Sequence, residues 1–154
     1  EVEQLVLAHK EIVGIHDLVV HDYGPGRLMI TLHAEVPADG DMLELHDVVD
    51  TVERELAVKM RCVATIHMDP VVTDETTTQL RNQVAQLVQT VDPRITIHDF
   101  RIVPGPTHTN LVFDAMVPFD LPMEEKAVER AIRDKVRQLP GNYYAVVHAE
   151  TSYV

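Results

Sequence analysis

Apolar positions along the chain change period several times, and each change marks an element. Val2, Leu5, Val6, His9, Ile12 and Val13 lie on one face of a helix. Leu28, Ile30, Leu32, Ala34 and Val36 then alternate with Met29, Thr31, His33 and Glu35, the two-residue period of a half-buried strand. From about Met42 to Lys59 the period returns to helical, with Leu45, Val48, Val49, Val52 and Leu56 as the apolar stripe. A second strand follows, in which Cys62, Ala64, Ile66 and Met68 face inward and Val63, Thr65, His67 and Asp69 face outward.

The same order recurs in the second half of the chain. Ile15-His16-Asp17-Leu18 reappears as Ile97-His98-Asp99-Phe100, and the Gly24-Pro25 turn as Gly105-Pro106. The strand ending Val36-Pro37 reappears as the one ending Val117-Pro118, and Ala64 to Asp69 as Ala145 to Glu150. A helix carrying Leu80, Val84, Leu87, Val88 and Val91 precedes the second copy, capped by Thr73 or Asp74 and ended by Asp92-Pro93. A helix from about Pro122 to Gln138 carries Val128, Ala131, Ile132 and Val136 inward, with Pro122 as a first-turn residue. The expected fold is α+β: two tandem αββαβ two-layer sandwiches, residues 1–71 and 72–154, joined by the short linker Pro70 to Thr73.

Composition narrows the function. A net charge of −12 and the lack of any Lys/Arg cluster exclude nucleic acid as a partner and favour cations. No apolar run reaches the roughly 20 residues of a membrane-spanning helix, so the piece is expected to be soluble; its start at Glu1, without an initiator Met, reads as part of a longer protein. The single Cys62 allows no internal disulfide framework and falls on an inward strand position, where a thiol is inert packing. Gly24-Pro25-Gly26 lacks the spacing of a phosphate loop, and no nucleophile is paired with a base, so an enzyme is the least expected class.

Nine histidines are the unusual feature, and imidazole is the commonest metal ligand. Strand parity brings His33, His67 and Asp69 to one face, with His16 or His46 in reach. His16 joins them only if it precedes the regular strand, because strict alternation puts it on the face of Leu18 and Val20. Imidazoles and a carboxylate without thiolate suit Zn²⁺ and accept Mn²⁺, Fe²⁺ or Co²⁺. The bland alternative is a surface strand carrying His and Asp for solubility. In the second copy the matching positions are His98, Asp114, His148 and Glu150, either a second site of more carboxylate character or a relic; Ala127 stands near the place of His46.

Gly14-Ile15-His16-Asp17-Leu18, Ile30-Thr31-Leu32-His33, Leu45-His46-Asp47 and Thr65-Ile66-His67-Met68-Asp69-Pro70 together resemble the C-terminal domain of cation diffusion facilitator transporters, in the family's order across roughly residues 1 to 70. The resemblance implies a metallochaperone-like (ferredoxin-like) domain on the cytoplasmic face of the cell membrane. It implies attachment to the transmembrane domain of the same full-length chain, homodimerisation, and divalent metal, Zn²⁺ foremost, at positions matching His16, His33, His46, His67 and Asp69. Residues 71 to 154 resemble an extended form of the domain, whose second unit leaves the usual dimer geometry open. A metal-independent dimerisation or scaffold module is the competing expectation, and a ferredoxin-like sensor of a small organic ligand a third.

Overall fold

The computed structural model describes residues 1–72 and 74–153. The chain divides into two compact units, Glu1–Val71 and Val72–Val154, each with its own core. The first contains α1 (Val2–Leu7), β1 (Gly14–Asp22), β2 (Leu28–Pro37), α2 (Met42–Met60) and β3 (Cys62–Val71). The second contains α3 (Glu75–Val88), β4 (Thr96–Val103), β5 (Thr109–Pro118), α4 (Glu125–Val136) and β6 (Tyr143–Ser152). Both are αββαβ units. Each has a three-stranded sheet with the hairpin partner antiparallel and the last strand parallel, in the orders β1-β2-β3 and β4-β5-β6.

The parallel pairing needs a crossover, and α2 and α4 supply it. Asp41 caps α2 by accepting from the Glu44 N–H, and Leu45, Val49, Val52 and Leu56 are buried against Ile30, Leu32, Ala34, Val36 and Ile66. Each such fully buried aliphatic side chain contributes about 1.5–3 kcal/mol. In the second unit Val128, Ile132 and Val136 do the same against Leu111, Phe113, Ala115 and Val147. Asp74 caps α3 in a reciprocal box with Thr77, while Thr73, the other candidate cap and part of the expected linker, lies outside the described residues.

Three helices are shorter than their apolar spacing predicts. α3 ends at Val88 rather than at Asp92-Pro93, because the Thr90 and Val91 N–H groups close tighter turns on the Leu87 and Val88 carbonyls. α1 stops at Leu7 because the following turn bonds His9 N–H to Val6 and Ile12 N–H to His9, and the Val13 N–H is then drawn onto the Glu35 carbonyl of the sheet. Ile12 is still buried, but Val13 is exposed. α4 begins at Glu125 rather than near Pro122, since the Leu121 N–H closes a turn on the Pro118 carbonyl first.

One device recurs in both units. β3 and β6 are edge strands, with backbone donors that face no further strand. Glu53 of α2 accepts the Ile66 N–H at 2.7 Å, and buried Glu129 of α4 accepts the Ala149 N–H at 3.1 Å. Each carboxylate satisfies a donor that would otherwise be stranded beneath a helix.

Candidate metal centre

The register of the first sheet aligns its chemistry in two rows across three strands. His16, His33 and His67 are directly opposed, and Gly14, Glu35 and Asp69 form the neighbouring row on the same face. His16 reaches this face because β1 is not regular. The pairing jumps from His16–His33 to Val19–Thr31, so three residues of β1 span two of β2, and Asp17 sits in the left-handed region at φ 51°. Such a bulge resets the alternation. His16 therefore faces outward with His33, while Val20, which strict alternation would put on the face of His16, opposes buried Ile30.

Asp69 is the hub. Its carboxylate lies 3.1 Å from His16 Nε2, 2.9 Å from His33 Nδ1 and 3.1 Å from His67 Nε2. The rings lie side by side along the row, tilted to one another by 35° and 41°, with His16–His33 and His33–His67 centroids both 4.7 Å apart. Exposure falls sharply along it: the His67 side chain is 66% exposed, His33 36% and His16 9%. His16, His33 and Asp69 each present a ligand atom within 4.8 Å of the others, the one such group among the described residues.

A residue outside the expected ligand set completes the wall. Glu35 is buried, and its Oε1 lies 3.5 Å from His16 Nδ1. At that length the contact is electrostatic rather than a formed hydrogen bond, and Nδ1 is buried without a hydrogen-bond partner. Gly14 makes room for this carboxylate, because a Cβ at that position would collide with Glu35 Oε2. The sequence signals were the shared outward parity of Glu35 and His33 and the glycine opening the strand.

Burial alone would depress the imidazole of His16, but the Asp69 contact and then Glu35 outweigh it and push its pKa up to about 9. Burial likewise tends to raise Asp69, yet His16 and His33 hold its carboxyl below the ordinary carboxylate range. A proton on His16 thus stands between two buried carboxylates, the position of a cation in a site of this composition. The donor set fits a divalent metal: two or three imidazoles and hard carboxylate oxygens, with Glu35 beside the remote ring nitrogen of His16.

His46 is exposed on α2 and does not enter the cluster of ligand atoms. The second unit keeps the row His98–Asp114–His148, and Glu150 matches Asp69, but Met116 and Thr96 replace Glu35 and Gly14. His98 Nε2 bonds Thr96 at 3.2 Å, and His148 and Glu150 pair at 3.4 Å with both side chains more than half exposed. Cys62 is half-buried, its Sγ–H directed to the Leu56 carbonyl at 3.4 Å, and burial pushes the thiol pKa up.

Residues 1–71 match the family model described as cation efflux protein, cytoplasmic domain. An uncharacterised transporter of Methanocaldococcus jannaschii, MJ0449, is 37% identical over 60 residues, which are 39% of this chain and 19% of that protein's length. Two solved structures of CzrB, described as a candidate zinc transporter, align over 45% of this chain. One has 29% identity, a TM-score of 0.42 and 87% of its own chain covered; the other, a zinc form, has 28%, 0.41 and 80%. No helix among the described residues is long and apolar enough to cross a membrane.

Proposed function

We propose, from the match of residues 1–71 to the family model described as cation efflux protein, cytoplasmic domain, that this chain is the regulatory, divalent-metal-binding and dimerisation region of a metal efflux transporter, working at the cytoplasmic face of the membrane. The observation that carries the reading is the group His16, His33 and Asp69, whose ligand atoms lie within 4.8 Å of one another. His16 through Nε2, His33 and Asp69 would hold the ion, and His67 at the rim would add a fourth donor. Glu35 would hold the Nδ1 proton of His16 and so keep the Nε2 lone pair on the metal side, the usual carboxylate–histidine support. Imidazole-rich ligation without thiolate favours Zn²⁺, with Mn²⁺ and Fe²⁺ accepted. Metal would neutralise the paired carboxylates, draw two copies together through the exposed His67 rim, and bias an attached membrane domain by its differential affinity for one state.

Isothermal titration of ZnCl₂ and MnCl₂ into the chain and its His33→Ala/Asp69→Asn variant tests this. The wild type should bind tightly and the variant should lose that heat; equal heats would refute the reading.

A metal-independent dimerisation module is the second reading. It is favoured by one observation: His16 lies between Asp69 and Glu35, at 3.1 and 3.5 Å, where a protonated imidazole would offset part of the carboxylate charge without a metal.

A further inference from the structure

The second unit repeats the bulge of the first. Its pairing jumps from His98–Asp114 to Arg101–Val112, and Asp99 takes φ 54° where Asp17 takes 51°. The two sheets can therefore be compared row by row. Beside the histidine row of the first unit lies Val19–Thr31–Thr65; beside His98–Asp114–His148 lies Arg101–Val112–Val146. Directly opposed residues share a face, so Arg101 stands on the face of Asp114, where the first unit has a valine.

We propose that Arg101 is a built-in cation of the second unit. Its guanidinium supplies beside His98, Asp114, His148 and Glu150 the positive charge that a divalent ion would bring, so the second unit does not take metal while Arg101 is present.

Three observations carry this. Arg101 Nη1 donates to the Asp99 carbonyl at 2.5 Å, which anchors the guanidinium at the bulge, one residue from His98. Arg101 pairs with Val112, two residues from Asp114 on the same face of β5, and its positive charge acts on the Asp114 carboxyl. One ligand-type side chain, His98, is also turned to a partner outside the set, Thr96. A guanidinium stays charged at every accessible pH and cannot be displaced as a proton can from His16. A metal would have to bind beside a fixed like charge.

The inference stands whether or not the first unit binds metal, and the test separates the two. In the full chain the first unit is silenced by His33→Ala/Asp69→Asn, and Arg101 is then kept, or changed to Lys, Val or Gln. Each protein is titrated with ZnCl₂ and with MnCl₂ by calorimetry, and its melting temperature is read with and without metal. With Arg101 or Lys, no tight equivalent and no metal-dependent shift in Tm are expected. Arg101→Val, the residue the first unit carries at this register, and Arg101→Gln, which keeps most of the size, should gain one equivalent at least 10-fold tighter than the parent. Both should melt lower than the parent without metal and recover with it. Tight binding by the parent with Arg101 in place, or no gain in either neutral variant, overturns the proposal. Binding by the unsilenced chain reports the first unit separately.

Discussion

Asp69 and Glu35 are two buried carboxylates that face the same imidazole from opposite ring nitrogens, and the chemistry of the first unit turns on that arrangement. His16 has a folded pKa of about 9 against an ordinary 6.5. In metal-free protein its contribution to stability is therefore fully present below pH 6.5 and is lost as pH rises through 9. The loss is of the order of 3 kcal/mol, readable as a falling urea midpoint in the presence of chelator. Asp69, held low, works in the opposite direction: its contribution is present above the ordinary carboxylate range and lost in acid. A metal would remove the His16 proton, so Zn²⁺ binding near pH 7.5 should release about one proton, seen as buffer-dependent heat in calorimetry. Glu35→Gln should weaken metal binding by about 10–100-fold, as loss of a supporting carboxylate does elsewhere, and return the His16 titration toward 6.5 in NMR. Gly14→Ala should reach a similar end by steric means, forcing the Glu35 carboxylate aside at a stability cost of about 1–3 kcal/mol.

The bulges and the crossover helices decide where these side chains arrive. Asp17 and Asp99 occupy the left-handed region that only glycine and the short polar residues enter readily. Asp17→Val should therefore cost about 1–2 kcal/mol and loosen metal binding through His16, whereas Asp17→Gly or Asn should fold normally; denaturation curves and titration of the three variants distinguish them. Elsewhere the helices hold the edge strands by their own carboxylates. Glu129→Ala leaves the Ala149 N–H without its partner under α4 and should destabilise the second unit by about 1–3 kcal/mol, with the first unit unaffected. The element pattern was plain from the apolar periods, and the αββαβ order of both units follows it. The ends of α1 and α4 did not follow it, because competing backbone bonds from Val13 and Leu121 stop or delay the helices at places that apolar spacing does not mark.

For the chain as a whole, the repeat presents two sheets with matching registers and different electrostatics. One presents buried carboxylates around a histidine; the other carries an arginine beside its aspartate. At −12 net charge, association of two copies is opposed by like charge until cations intervene. Sedimentation in chelator against sedimentation with Zn²⁺ should therefore differ in shape or association state for the wild type, and His67→Ala should weaken the metal-dependent change. Identical profiles in both conditions would favour the metal-independent module.

The sequence by itself determined the two-fold repeat, the secondary-structure order, and the convergence of His33, His67 and Asp69, because all of these rest on local periodicity or strand parity. It left His16 undecided, since a one-residue bulge flips parity and depends on cross-strand pairing that no local pattern encodes. It set His46 at the edge of its helix's apolar stripe, and the structure exposes that residue on α2. It put Glu35 on the face of His33 without reaching its burial beside His16, and it gave no role to Gly14 or Arg101, because their significance lies in burial and distance. Only the tertiary structure decided those, because desolvation and proximity between residues far apart in the chain exist only once the sheet has assembled.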